Sequence, residues 1–244
     1  MKYADMLRID HVMGLHRLFW IPQDLDAGRG VYVRYNAGEL YAILTLESCR
    51  NKTVIVGEDL GIVPPYVRPA MARHGLGRMY ILYYELADGA GLHRVPGNAV
   101  ASLNTHDMPP FAAFWQGADI AERKNLGLAD AKGVRKESRA RQRVKSALAG
   151  SLQKKGFLRK TESSARAVLE ACLAFLGAGP ARVVIVNLED LWGETRSQNV
   201  PGTGEKYPSW RGKARRGLED FCRIPDVRDI LEKINAERKR GRRR

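Results

Sequence analysis

Short apolar runs alternate with helix-like segments along this 244-residue chain, and that alternation limits the fold more than any other feature. The runs are Met6 to Asp10, Thr53 to Gly57, Arg78 to Tyr84, Val100 to Asn104 and Arg182 to Leu188, each with strand character. Between the first two, GELYAILTLESCRN sets Leu40, Ile43, Leu44 and Glu47 at helical spacing. Between the next two, PPYVRPAMARHGLG opens on proline and closes on glycine, as helices do. Strand, helix and strand joined by short links require parallel strands and hence an α/β architecture. A closed eight-stranded barrel cannot be built from five strands, so an open sheet or part of a larger barrel is expected.

Three acids sit where apolar runs give out: Asp10 in ADMLRIDH, Glu58 in TVIVGEDLG and Asp107 in VASLNTHDM. A carboxylate just past a buried strand is held rigidly yet faces a cleft. Three of them on neighbouring strands suit a sugar-cleaving site. Strand alternation puts Arg8 and Asp10 on one face and Leu7 and Ile9 on the other. An arginine beside Asp10 favours its ionised form, as a nucleophile requires, but a structural ion pair would look the same. Gly57 before Glu58 permits a bulge or a close approach; Glu58 as a solvated loop acid is the plainer alternative. Asn104, His106 and Asp107 cluster before a double proline, where simple turn chemistry also uses such residues. Neighbouring strands lie about 4.8 Å apart. Carboxylates ending two of them therefore fall near the roughly 5 to 5.5 Å separation of a retaining glycosidase.

Charge is unevenly spread. Of the net +14, residues 121–160 carry +10 from 13 basic and 3 acidic side chains, and residues 233–244 carry +6, so the remainder is near neutral at −2. The segment 119–160, rich in Ala, Arg, Lys and Glu, reads as an inserted pair of exposed helices, and 233–244 as a disordered basic tail. The basic stretch lacks interleaved aromatics and RNP or zinc-finger motifs, which argues against nucleic acid as the main partner. The five histidines show no HxxxH or HxH spacing, so no metal is expected. Cys49, Cys172 and Cys222 are odd in number and widely spaced, and read as free buried thiols in a reducing cytoplasm. Charged residues through the first twenty positions are incompatible with a secretory leader, and the longest nearly uncharged stretch, Ala171 to Ala181, is too short to span a bilayer.

The blocks RIDHVMGLHRLFWIP, GVYVRY, VIVGEDLG, NTHDMPP, VNLEDLWGETRSQNVPGT and YPSWR, in this order, closely resemble the 4-alpha-glucanotransferases of glycoside hydrolase family 77, the amylomaltases. The resemblance implies a (β/α)8 barrel that moves α-1,4-glucan segments between maltooligosaccharides without cofactor or metal. It identifies Asp10 with the nucleophile, Glu58 with the acid/base and Asp107 with the transition-state stabiliser. Arg8 and His106 match residues that hold the sugar, Asn199 and Pro201 match a loop beside the groove, and Glu85 matches an acceptor-side contact. It also implies that 1–244 is the C-terminal part of the barrel, with three further strands and a covering loop upstream in complete enzymes. Two rival readings remain at this level: a catalytically incomplete fragment that needs an upstream half, and a basic nucleic-acid binder.

Overall fold

The computed structural model describes residues 1–86, 91–221 and 223–241. Five strands, β1 (Met6–Ile9), β4 (Val54–Gly57), β5 (Gly77–Ile81), β6 (Ala99–Ser102) and β7 (Val183–Ile185), form one sheet in the order β1-β4-β5-β6-β7. A second sheet has two antiparallel strands, β2 (Arg17–Trp20) and β3 (Val31–Arg34). The architecture is α/β, as expected, with each of the five sheet strands inside or overlapping an expected run. The hairpin β2–β3 was not anticipated. By Cα packing the chain divides into two compact units, Met1–Tyr80 with Asn98–Val100, and Ile81–Gly97 with Ala101–Arg244.

In the first unit, β1 pairs with β4 and β4 with β5, both parallel. Between β1 and β4 run the hairpin and helix α1 (Ala37–Asn51); between β4 and β5 lies α2 (Val67–Arg73). The register is anchored at the start, where Thr53 Oγ1 donates to Ala4 O at 2.8 Å and Val54 N to Asp5 O at 2.8 Å. Val12, Tyr41, Ile55, Val67, Met71 and Leu76 form the core, with Ile9 packed against it. Burial pushes the Tyr41 hydroxyl up to about 12, and that hydroxyl lies 3.0 Å from His16 Nε2. Asp59 follows Glu58 and could by sequence start a turn or cap a helix. Instead it is wholly buried and accepts from Met79 N at 2.9 Å and Arg68 Nε at 2.7 Å, with Arg78 Nε 3.2 Å away. A buried carboxylate survives only with such partners. Gly57 shows why a glycine precedes Glu58. A Cβ there would meet Val12 Cγ2 at 2.7 Å and Met71 Cε at 2.8 Å.

In the second unit, α3 (Leu82–Glu85) begins where the third apolar run was expected to continue as strand. Helices α4 (Phe111–Gln116), α5 (Ala118–Asn125), α6 (Ala131–Lys154) and α7 (Ala165–Ala178) follow β6. Asp130 caps α6 and Ser164 caps α7 through backbone N–H groups three residues on. The basic segment 119–160 is therefore largely helical, and part of its charge is used internally. Arg141 holds Asp119 through both guanidinium nitrogens, at 2.9 and 2.7 Å, and lies over the Phe114 ring, while Lys145 donates to Trp115 O and lies over the Trp115 ring. After β7 come α8 (Leu188–Leu191), α9 (Leu218–Phe221) and α10 (Pro225–Gly241). Residues 233–241, expected within a disordered tail, are helical, because Val227, Ile230 and Ile234 give α10 a buried stripe at spacing 3 and 4. Gly177 of α7 admits the close approach: a Cβ there would lie 3.1 Å from Ile234 O. Cys172 is buried and its thiol is pushed up, but Cys49 is exposed on the outer face of α1, correcting the expectation of buried thiols; Cys222 lies outside the described residues.

A buried polar knot fixes the loop after β6. Asp190 accepts from Phe111 N at 2.6 Å and from Asn104 Nδ2 at 3.0 Å, and Asn187 Nδ2 donates to Asn104 Oδ1. Burial pushes the Asp190 carboxyl up to about 6, against the pull of those two donors. The native state then holds a proton that the unfolded chain has released between about pH 4 and pH 6. Stability contributed by this group is accordingly present below pH 4 and falls as pH rises to 6, by about 3 kcal/mol. Urea titrations should resolve this decline, and it should vanish in Asp190→Asn. Gly57→Ala should destabilise by about 1 to 3 kcal/mol through overpacking against Val12 and Met71, measured by the same titration at pH 7.

Candidate active site

Parallel pairing decides where the first two acids fall. Ile9 is in register with Gly57, so Asp10 and Glu58 are the next residues on adjacent strands. Two backbone bonds continue the ladder past the strand ends, Glu58 N donating to Ile9 O at 2.8 Å and Val12 N to Glu58 O at 3.1 Å, and His11 N donates to the Glu58 carboxyl Oε2 at 2.9 Å. Leu60 N donates to the other carboxyl oxygen at 2.8 Å. Both oxygens of Glu58 are thus aimed by main-chain donors, and its side chain is 8% exposed. The solvated loop acid weighed against the functional reading is not what the structure contains.

Asp10 is 57% exposed, and Arg8 Nη2 holds it at 2.6 Å. Arg8 is itself steadied by a bond from Nε to Met79 Sδ at 3.2 Å. Arg8 and Asp10 share a face, as alternation required. His11 lies between the acids. Its Nδ1 is 3.5 Å from Glu58 Oε2 and its Nε2 is 3.6 Å from Asp10 Oδ2. It takes a left-handed backbone conformation, φ 47° and ψ 54°, which costs a non-glycine residue roughly 1 kcal/mol or more. Asp10, His11 and Glu58 each offer a polar atom, all within 4.8 Å of one another, so these three could hold a cation. Histidine spacing along the sequence gave no sign of this group, because Glu58 reaches it from a different strand. One carboxyl oxygen of Asp10 lies within 4.8 Å of one of Glu58, inside the roughly 5 to 5.5 Å reach over which a pair of carboxyl groups works by double displacement.

In the second unit, Asp107 stands on the turn after β6. Asn199 Nδ2 donates to Asp107 Oδ1 at 2.7 Å, and His106 Nε2 lies 3.3 Å from Asp107 Oδ2. Trp210 packs beside the His106 ring with centroids 5.5 Å apart. The pairing of Asn199 with Asp107 bridges 92 positions of sequence. Pro201 follows Asn199 on an exposed turn that Thr203 closes by donating to Val200 O at 2.7 Å. Asn104, His106, Met108, Asn187, Asp190 and Trp210 line a cavity of about 110 Å³. A ligand-sized site encloses about 300 Å³ or more, so this cavity alone is a groove segment. Glu85 ends α3 half-buried and is not among the described partners of Asp107. Sequence reasoning missed His11, Asn187 and Asp190. His11 was in plain view in RIDH, but its bridging position depends on the β1–β4 register.

The sequence profile of the 4-alpha-glucanotransferase family, glycoside hydrolase family 77, matches residues 1–218. A 4-alpha-glucanotransferase of Haemophilus influenzae is 35% identical over 247 residues, covering 98% of this chain and 35% of its own. That of Mycobacterium tuberculosis is 36% identical over 219 residues, covering 86% and 30% respectively. The crystal structure of amylomaltase from Corynebacterium glutamicum superposes with a TM-score of 0.85 at 26% identity, over 94% of this chain and 35% of that one. Amylomaltase from Streptococcus agalactiae, solved in complex with acarbose, shares the fold at 19% identity and a TM-score of 0.69, over 96% and 41%. The chain thus spans about a third of the length of the curated relatives it matches. With five parallel-sheet strands, paired acids at the ends of β1 and β4, and a profile match over most of its length, the chain belongs to the 4-alpha-glucanotransferase family, glycoside hydrolase family 77.

Proposed function

We propose that this chain carries the catalytic acids of a retaining 4-alpha-glucanotransferase acting on α-1,4-glucans. The observation that carries the proposal is the placement of Asp10 and Glu58 at paired strand ends, with carboxyl oxygens within 4.8 Å. At that separation one carboxylate reaches the anomeric carbon while the other reaches the departing oxygen. Asp10, exposed and set by Arg8, attacks the anomeric carbon. The bond to the leaving sugar breaks as Glu58 gives its proton to the glycosidic oxygen. A glycosyl ester on Asp10 results. Glu58, now a base, takes the proton from the 4-hydroxyl of an acceptor sugar, which displaces Asp10 and restores the original anomeric configuration. Asp107, held by Asn199, accepts hydroxyls of the ring and binds them more tightly as the sugar flattens. His106 and Arg8 hold the sugar being cleaved, Asn199 and Pro201 border the groove, and Glu85 contributes on the acceptor side. Donor and acceptor are maltooligosaccharides.

Two further parts of the proposal concern context. The groove is completed by polypeptide corresponding to the two thirds of the relatives that this chain does not cover. The setting is the cytoplasm, where maltooligosaccharide exchange would use a protein with free thiols; among the described residues no helix is long and apolar enough to cross a membrane.

Incubation of the chain, extended to the full length of its relatives so that the groove is complete, with maltotriose tests the reading. Glucose and maltooligosaccharides longer than the substrate should appear together. Asp10→Asn should lower the rate by about 10⁴-fold or more, and Glu58→Gln by roughly 10² to 10⁴-fold. Release of glucose without longer products, or an Asp10→Asn variant of undiminished rate, would contradict it.

A further inference from the structure

Charge on helix α6 is sorted by side. The helix carries eight basic residues and a single acid, Glu137. With 3.6 residues per turn, Lys132, Arg135, Lys136, Arg139, Arg143 and Lys154 fall within an arc of about 100°. All six are exposed. The other charged residues of the helix turn the opposite way and are used there. Arg123 Nη2 of α5 lies 3.7 Å from Glu137 Oε1, Arg141 holds Asp119, and Lys145 donates to Trp115 O. Leu148 and Leu152, on that same inner side, are buried. Among the described residues the six outward cations have no acidic partner.

A helix face that only meets water gains by mixing signs, because opposite charges three or four residues apart stabilise and like charges there repel. α6 does the reverse. Lys132 and Lys136, Arg135 and Arg139, and Arg139 and Arg143 stand four apart; Lys132 and Arg135, and Lys136 and Arg139, stand three apart. Every one of these pairs is positive on positive. The row runs from Lys132 to Lys154, about 33 Å along the helix axis. Exposed Lys155, Arg159 and Lys160 follow the helix end. Such a row repels itself until a ligand of many negative charges neutralises it.

We infer that the outer face of α6 binds the phosphate backbone of duplex nucleic acid, without reading its sequence, as a capacity additional to glucan transfer and independent of it. A straight row of cations about 33 Å long matches about ten successive phosphates of one strand, spaced 3.4 Å along the duplex axis. Arginine forks on this face, from Arg135, Arg139 and Arg143, suit phosphate oxygens in particular. Base reading is a poor fit. None of the large hydrophobic residues exposed among the described residues lies on α6, so nothing stacks on a base. Phosphates give affinity and orientation alone. A bilayer is a poor fit for the same reason. A membrane-surface helix sinks an apolar face, and the apolar side of α6 is already packed inside the protein. Glucans, being neutral, leave the row's charge unanswered.

The test follows the fluorescence anisotropy of labelled DNA and RNA duplexes of about 20 base pairs, mixed with the full chain over a range of salt. A Kd of about 10 μM or tighter in about 50 mM salt is expected, with log K falling against log salt at a slope of about −4 to −6 on DNA. Comparing the two duplexes shows which nucleic acid is the better source of the phosphates. The quadruple variant Arg135→Gln, Lys136→Gln, Arg139→Gln and Arg143→Gln keeps good helix formers. It should bind at least about tenfold more weakly with a slope shallower by about 2 to 4, and retain the wild-type circular dichroism. A second quadruple variant removes the same charge elsewhere: Lys2→Gln, Arg73→Gln, Lys213→Gln and Arg223→Gln, all exposed. It should stay within about twofold of wild type. No binding at about 50 μM, a wild-type slope near zero, equal weakening by both variants, or binding to phosphatidylserine vesicles without binding to either duplex would each overturn the inference. None of these readouts depends on transfer activity.

Discussion

The register between β1 and β4 is the constraint on which the rest depends. Because Ile9 faces Gly57, the two residues that follow are carboxylates side by side, and the turn through His11 to Val12 stitches them together. A slip of one residue would turn Asp10 away from the cleft and bring Ile9 out of the core. Thr53 and Val54 hold the register at one end, and the Glu58 backbone holds it at the other. Gly57 lets Val12 and Met71 pack beneath it. The spacing of Asp10 and Glu58 is thus a by-product of core packing, which is how a scaffold positions groups more finely than a loop could.

Each unit holds a wholly or nearly buried acid beside its candidate site residues. Asp59 ties β4 to Arg68, Arg78 and the start of β5. Asp190 ties α4 to the Asn104 turn that leads into His106 and Asp107. Both have little or no contact with water and would be destabilising without their donors. The left-handed His11 has the same character: local strain retained where it sets the direction of a functional side chain.

Much of this was legible in the sequence, and the reasons differ by residue. The five strands declared themselves through β-branched runs such as TVIVG, and the acids through their position at the ends of those runs. Strand ends were harder. The run Arg78 to Tyr84 reads as strand throughout, but so short an apolar run lacks a decisive period, and from Leu82 it is helical. The hairpin escaped notice because its strands are four residues long and apolar on both faces, so neither shows alternation. Cys49 was misjudged for a related reason: α1 is apolar on its outer face as well as its inner one. The basic stretch from Lys233 looked disordered by composition, but Ile234 anchors it to α7. No one-dimensional signal joins Asn104 to Asp190 or Asn199 to Asp107, which meet only through tertiary packing across 86 and 92 positions.

The central claim is that Asp10 forms a bond to the sugar while Glu58 handles the proton. The most direct measurement is peptide mass spectrometry after reaction with a 5-fluoro glucosyl fluoride, which forms the glycosyl ester quickly and releases it slowly. The account predicts one added glycosyl group on the peptide containing Asp10, lost when excess maltose is supplied as acceptor. A label on any other carboxylate, or products of inverted anomeric configuration with no label, would contradict it.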